Sequence, residues 1–94
     1  MQVNVRMMGV LRGTSGIKEV PLDIPESCTV GALIKQLIED GGGLSREFWD
    51  DSVDSPSPNA SILVNGVEIK NLEGIDTVLE PAQEIVLLSV VHGG

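Results

Sequence analysis

The sequence predicts an α+β domain of two layers, with one amphipathic helix lying on one face of a sheet of four to five strands. Three observations carry this expectation. Apolar residues between Thr29 and Asp40 recur at helical spacing. The apolar runs on either side of that stretch either alternate at the strand period or are rich in β-branched residues. The length of 94 residues suits a single domain, and a hydrophobic fraction of 41% is enough to fill one modest core.

The elements follow in order. Val3, Val5 and Met7 alternate with Gln2, Asn4 and Arg6, the pattern of a half-buried strand over residues 2–8. Gly9 and the run Gly13-Thr14-Ser15-Gly16 mark a turn. Val20, Leu22 and Ile24 alternate again behind Ile17, so the chain should open with a hairpin. In Thr29–Asp40, Val30, Leu33, Ile34, Leu37 and Ile38 form one stripe of a helix, with Thr29 as N-cap and Gly41 as the stop. Residues 41–60 combine three glycines with a polar stretch holding Pro56 and Pro58, and read as a long surface loop. Leu44, Phe48 and Trp49 interrupt it with the spacing of one helical turn. Trp49 has two readings, an anchor in the core or a binding hot spot.

Ser61–Ile69 reads as two short runs around Asn65-Gly66, a pair that tolerates the positive φ angles of a tight hairpin turn. Leu72–Val78 suits a turn with a short helical element. Gln83–Val91 is almost continuously apolar, the pattern of a central strand buried on both faces. His92-Gly93-Gly94 follows as a short flexible tail, and the whole of 1–94 is expected to be one domain.

Composition excludes several function classes. A single His rules out a two-His metal site and a His relay, so no metal site is expected. A single Cys rules out an internal disulfide and a zinc-binding Cys cluster. A net charge of −8 argues against nucleic acid as a partner, because that binding is driven by Lys and Arg. The opening residues lack a secretory pattern and no apolar run approaches bilayer length, so no membrane role is expected and the expected location is cytoplasmic, with Cys28 reduced. The charge is uneven. The first 18 residues hold Arg6, Arg12 and Lys18 and no acid, whereas beyond Lys70 there are four acids and no Lys or Arg. That acidic excess is either a solubilising surface or a signal for a basic partner.

The run into Gly93-Gly94 is the feature that bears on chemistry. Glycine lacks a Cβ, so its backbone can enter a channel too narrow for side chains. Six extended residues from Ser89 onward reach roughly 20 Å. The tail would present the carboxylate of Gly94, ionised at neutral pH, away from the body of the domain. Terminal glycines that are merely frayed are the plain alternative.

The chain resembles the ubiquitin-like β-grasp sulfur carriers, a family that includes the small subunit of molybdopterin synthase (MoaD), the thiamine sulfur carrier ThiS and the small archaeal modifier proteins. The likeness is carried by VNVRMMGVLR, TVGALIKQL, ILVNGVEI, LEGIDTVLEPAQEIVLL and the ending VVHGG, in that order. It implies a mixed β-grasp sheet in which the first and last strands are parallel neighbours. It also implies a carrier and not an enzyme. In such a carrier an adenylating enzyme of the ubiquitin-activating type (MoeB-like) uses ATP and Mg to convert the Gly94 carboxylate to an acyl-adenylate. A sulfur donor, fed by a cysteine desulfurase or a rhodanese-like protein, then leaves a thiocarboxylate. In the molybdopterin branch a MoaE-like large subunit receives that sulfur.

By the same resemblance Gly93, His92 and Val91 are tail-recognition positions, and Met8, Leu88 and Arg12 are partner-docking positions. Core packing is the alternative for Met8 and Leu88, and a passive exposed residue for His92. Cys28 reads as a small apolar filler or as a sulfur relay. The chain departs from the family where Leu88-Ser89-Val90 replaces Phe-Pro-Pro and Pro81-Ala82-Gln83 replaces Asp-Gly-Asp. Three functions fit the sequence: a sulfur carrier activated at Gly94, a modifier joined through Gly94 to lysines of target proteins, and an interaction module with an inert tail.

Overall fold

A computed structural model describes residues 1–9, 16–39 and 43–89. Its elements are β1 (Gln2–Met8), β2 (Ile17–Asp23), α1 (Val30–Glu39), β3 (Trp49–Asp50), β4 (Ser55–Pro56), β5 (Ala60–Val64), β6 (Val67–Glu68) and β7 (Glu84–Ser89). The main sheet runs β2-β1-β7-β5-β6. β1 and β7 are parallel, and the other neighbours are antiparallel. This is the ubiquitin-like β-grasp arrangement, an α+β fold with a mixed sheet on one main helix.

The alternation in β1 sends Val3, Val5 and Met7 beneath α1 and leaves Asn4, Arg6 and Met8 on the opposite face. Register then fixes the neighbours. Val5 lies opposite Ile85 and Met7 opposite Leu87. Leu87 in turn lies opposite Ile62, and Ile85 opposite Val64. These side chains close against Val30, Leu33, Ile34, Leu37 and Ile38 of the helix, all of them buried. The stripe read from the sequence is thus the face that α1 buries. Thr29 caps it, its Oγ1 accepting the Ala32 amide at 3.2 Å. Gly41, the expected stop, lies outside the described residues.

β7 is central, as its apolar run predicts, but it is not buried on both faces. Ile85 and Leu87 are sealed, whereas Val86 and Leu88 are only half-buried. The reason is architectural. α1 covers one face of the sheet, and among the described residues no element covers the other.

The segment expected to be a loop is more ordered than its composition suggests. Leu44, Phe48 and Trp49 are buried, so the core-anchor reading of Trp49 holds. A 3-10 turn over Arg46–Phe48 and the two-residue ribbon β3–β4 hang from those anchors. Lys35 of α1 ties the ribbon down through Asp54, 2.9 Å away, and lies 5.3 Å from the centre of the Trp49 ring.

The Asn65-Gly66 turn has φ angles of 48° and 83°, the doubly positive geometry of a type I′ hairpin. Two 3-10 turns, Ile69–Asn71 and Gly74–Asp76, carry the chain back to the helix start. There the Val30 amide donates to the Thr77 carbonyl and the Leu79 amide to that of Cys28. On the outer edge, the ladder bonds Gly9 to Gly16 and Ile24 to Met1 set the phase of the β1–β2 hairpin. In that phase the nitrogen of Pro21 faces outward, so the missing N–H costs no ladder bond and blunts an exposed edge. No helix among the described residues is long and apolar enough to cross a membrane.

Candidate functional site

The site is the open face of the sheet at the end where β7 leads toward the tail. Cross-strand register arranges its side chains in rows. One row reads Ile17, Met8, Leu88, Ser61 across β2, β1, β7 and β5. The next reads Glu19, Arg6, Val86, Leu63, Glu68 and reaches β6. A third reads Pro21, Asn4, Glu84. Met8, Leu88, Val86 and Leu63 are half-buried, and Ile17 is 62% exposed. Together they make a contiguous apolar patch that no element among the described residues covers, the kind of surface on which a partner can dock.

Met8 and Leu88 therefore meet on neighbouring strands, and neither belongs to the core under α1. Arg12, and the tail positions Val91, His92, Gly93 and Gly94, lie outside the described residues.

Sequence reasoning missed Arg6, Val86 and Leu63 as members of this face. The signal was present as parity. In Met7-Met8 and in Ile85-Val86-Leu87-Leu88 one residue of each adjacent pair must face away from the core. Reading β7 as doubly buried hid it.

Electrostatics on this face are specific. Glu19 lies directly opposite Arg6, yet its Oε1 accepts from Asn4 Nδ2 at 2.7 Å. Glu68 pairs with Lys70 at 3.2 Å. Arg6 forms no ion pair with any described residue, and its Nε is shielded from solvent without a hydrogen-bond partner.

Cys28 is 6% exposed, its Sγ is 3.5 Å from the Thr29 carbonyl, and burial pushes the thiol pKa up. A thiol held protonated and covered is a poor nucleophile, which favours the filler reading over the sulfur relay. Among the described residues no three His, Cys, Asp or Glu side chains gather in a way that would hold a metal ion.

A model of the ThiS family matches residues 5–94. The chain is 26% identical over 94 residues to Small archaeal modifier protein 3 of Haloferax volcanii, and the match covers all of both chains. The solution structure of small archaeal modifier protein 1 from Methanosarcina acetivorans is similar, with 29% identity, a TM-score of 0.73, and coverage of 99% of this chain and 96% of that one. The crystal structure of small archaeal modifier protein 1 from Haloferax volcanii superposes with a TM-score of 0.77 over the full length of both chains. At 18% identity that last likeness speaks for the fold alone.

Proposed function

The chain belongs to the ThiS family, small carriers and modifiers and not enzymes, and from that premise we propose that it carries sulfur on the carboxylate of Gly94. The observation that supports this most is the reach of the family match, which runs from β1 through Gly93-Gly94. The open apolar face around Met8 and Leu88 supplies a surface on which a partner can seat the domain.

In this reading an adenylating enzyme of the ubiquitin-activating type docks on that face and draws the tail into its site. A Gly94 carboxylate oxygen attacks the α-phosphorus of ATP, with Mg on the phosphates, and pyrophosphate leaves. Activation is needed because a free carboxylate is a poor electrophile. The persulfide of a donor fed by a desulfurase or rhodanese-like protein then attacks the acyl carbon through its outer sulfur, and AMP departs. A thiol reduces the resulting acyl disulfide, forming a disulfide with the donor's inner sulfur and releasing the Gly94 thiocarboxylate. The recipient we favour is a molybdopterin precursor held by a MoaE-like subunit. The domain contributes positioning and reach.

The likeness to Small archaeal modifier protein 3 across the whole chain favours a second reading, conjugation through Gly94 to target lysines. Both begin with the same acyl-adenylate and diverge at the nucleophile, sulfur in one case and a lysine amine in the other.

The test uses the full chain with the adenylating enzyme of its source cell, ATP, Mg and a sulfur donor. Intact-mass measurement should show one oxygen exchanged for sulfur, localised to the C-terminal peptide. A plain carboxylate alone after that incubation overturns the carrier reading. Adduct ladders on denaturing gels, lost when Gly93 and Gly94 are deleted, would establish the modifier. A captured MoaE-like subunit supports the molybdopterin recipient, and a captured thiazole synthase replaces it with thiamine.

A further inference from the structure

We propose that Arg6 is the charged anchor of the open face, and that the enzyme surface docking there presents a carboxylate among apolar side chains. The inference rests on the adenylation reading and names a feature of the partner in it.

Arg6 sits in the middle row of the face, one strand in from the β2 edge. Glu19 lies on one side of it and Val86 on the other, in the row next to Met8 and Leu88. Neither acid of its row forms an ion pair with it, although Glu19 keeps its charge on the neighbouring strand. Glu19 is held by Asn4, and Glu68, at the far end of the row, by Lys70. Glu84, the acid of the third row, has an exposed side chain that forms no ion pair with Arg6. The Arg6 Nε is covered by its neighbours and unbonded. A covered guanidinium N–H without an acceptor is an unfavourable arrangement in the free protein. A partner's carboxylate reaches the guanidinium from outside, because its two oxygens match the two terminal nitrogens, which are not among the covered atoms.

Charge sharpens the choice of partner. The chain carries a net −8, so an approaching acid is repelled over most of its surface. Among the described residues, Arg6 is the one cation of this patch without an acidic partner, and it sits among apolar side chains. That fixes how the domain sits, and an unpaired acid against any neighbouring position is penalised.

The experiment measures adenylation of the full chain by the adenylating enzyme at varied carrier concentration, for wild type, Arg6→Gln, Arg6→Lys and a Glu39→Gln control on the exposed side of α1. Urea unfolding midpoints establish that each variant is folded under assay conditions. Arg6→Gln should raise KM about tenfold or more with kcat within about twofold, since docking and not chemistry is affected. Arg6→Lys should recover part of the loss, keeping the charge without the fork. The wild-type KM should rise with salt more steeply than that of Arg6→Gln. If wild type is not adenylated at all, the proposed function falls. If wild type is adenylated while Arg6→Gln keeps its KM within about twofold, or the two salt dependences run parallel, the Arg6 anchor falls and the proposed function stands.

Discussion

Met8 lies opposite Leu88 on neighbouring parallel strands, both half-buried on the face away from α1, while Met7 and Leu87 beside them are sealed at 0% exposure. Adjacent residues thus divide the core under α1 from the open face. Met7→Ala should cost about 2–5 kcal/mol, the range for emptying a buried Met position. Met8→Ser should cost less than about 1 kcal/mol yet raise KM for the adenylating enzyme. Urea unfolding and steady-state adenylation check the two halves. Equal destabilisation by both variants would contradict the division.

The Lys35–Asp54 bridge predicts a pH signature. The Lys35 ammonium beside Asp54, by hydrogen bond and by charge, holds its carboxyl below the usual carboxylate range. A depressed folded value stabilises above the unfolded pKa of about 3.9 and is lost as pH falls through the folded value. Asp54→Asn should therefore be slightly less stable than wild type at pH 7, with the gap closing in strong acid. Both side chains are largely exposed, so the gap is small. Urea midpoints of the two proteins across that range measure it, and a gap independent of pH would refute the assignment.

Thr29 predicts a second local effect. Its Oγ1 accepts the Ala32 amide at 3.2 Å, and Thr29→Ala should cost about 1 kcal/mol. Thr29→Ser keeps the oxygen and should retain most of that stability. Denaturation of both variants separates loss of the cap from loss of the methyl group.

Cys28 is covered and its thiol pKa is raised by burial. Cys28→Ala should leave sulfur loading of the tail unchanged. In the native wild type, alkylation of this thiol should be slow and should accelerate on unfolding in urea. Rapid native alkylation, together with loss of loading in the alanine variant, would restore the relay reading.

Much of this architecture was legible in the sequence because its elements obey one period each. The β1 alternation, the α1 stripe and the Asn65-Gly66 turn are local patterns, and the structure places them as read. Two features were not legible, both for reasons that lie outside any single element. The exposure of Val86 and Leu88 depends on how many layers cover β7, and an apolar run looks the same whether one face or two are covered. The order in residues 43–60 depends on Leu44, Phe48 and Trp49 finding a core that other segments build. Of the site, Met8 and Leu88 were named by family resemblance. Arg6 emerges only from register, which sets it beside Val86 while a Glu19 oxygen turns to Asn4.

The parallel pairing of β1 with β7 has a consequence for biosynthesis. β1 gains its inner neighbour only when residues from the far end of the sequence arrive, so the sheet cannot close early in translation. A nascent or truncated chain lacks the strand that puts Leu88 opposite Met8. Under the proposed function, an activating enzyme docking on this pair would find it only in a folded domain, which would make the sheet a checkpoint ahead of ATP consumption.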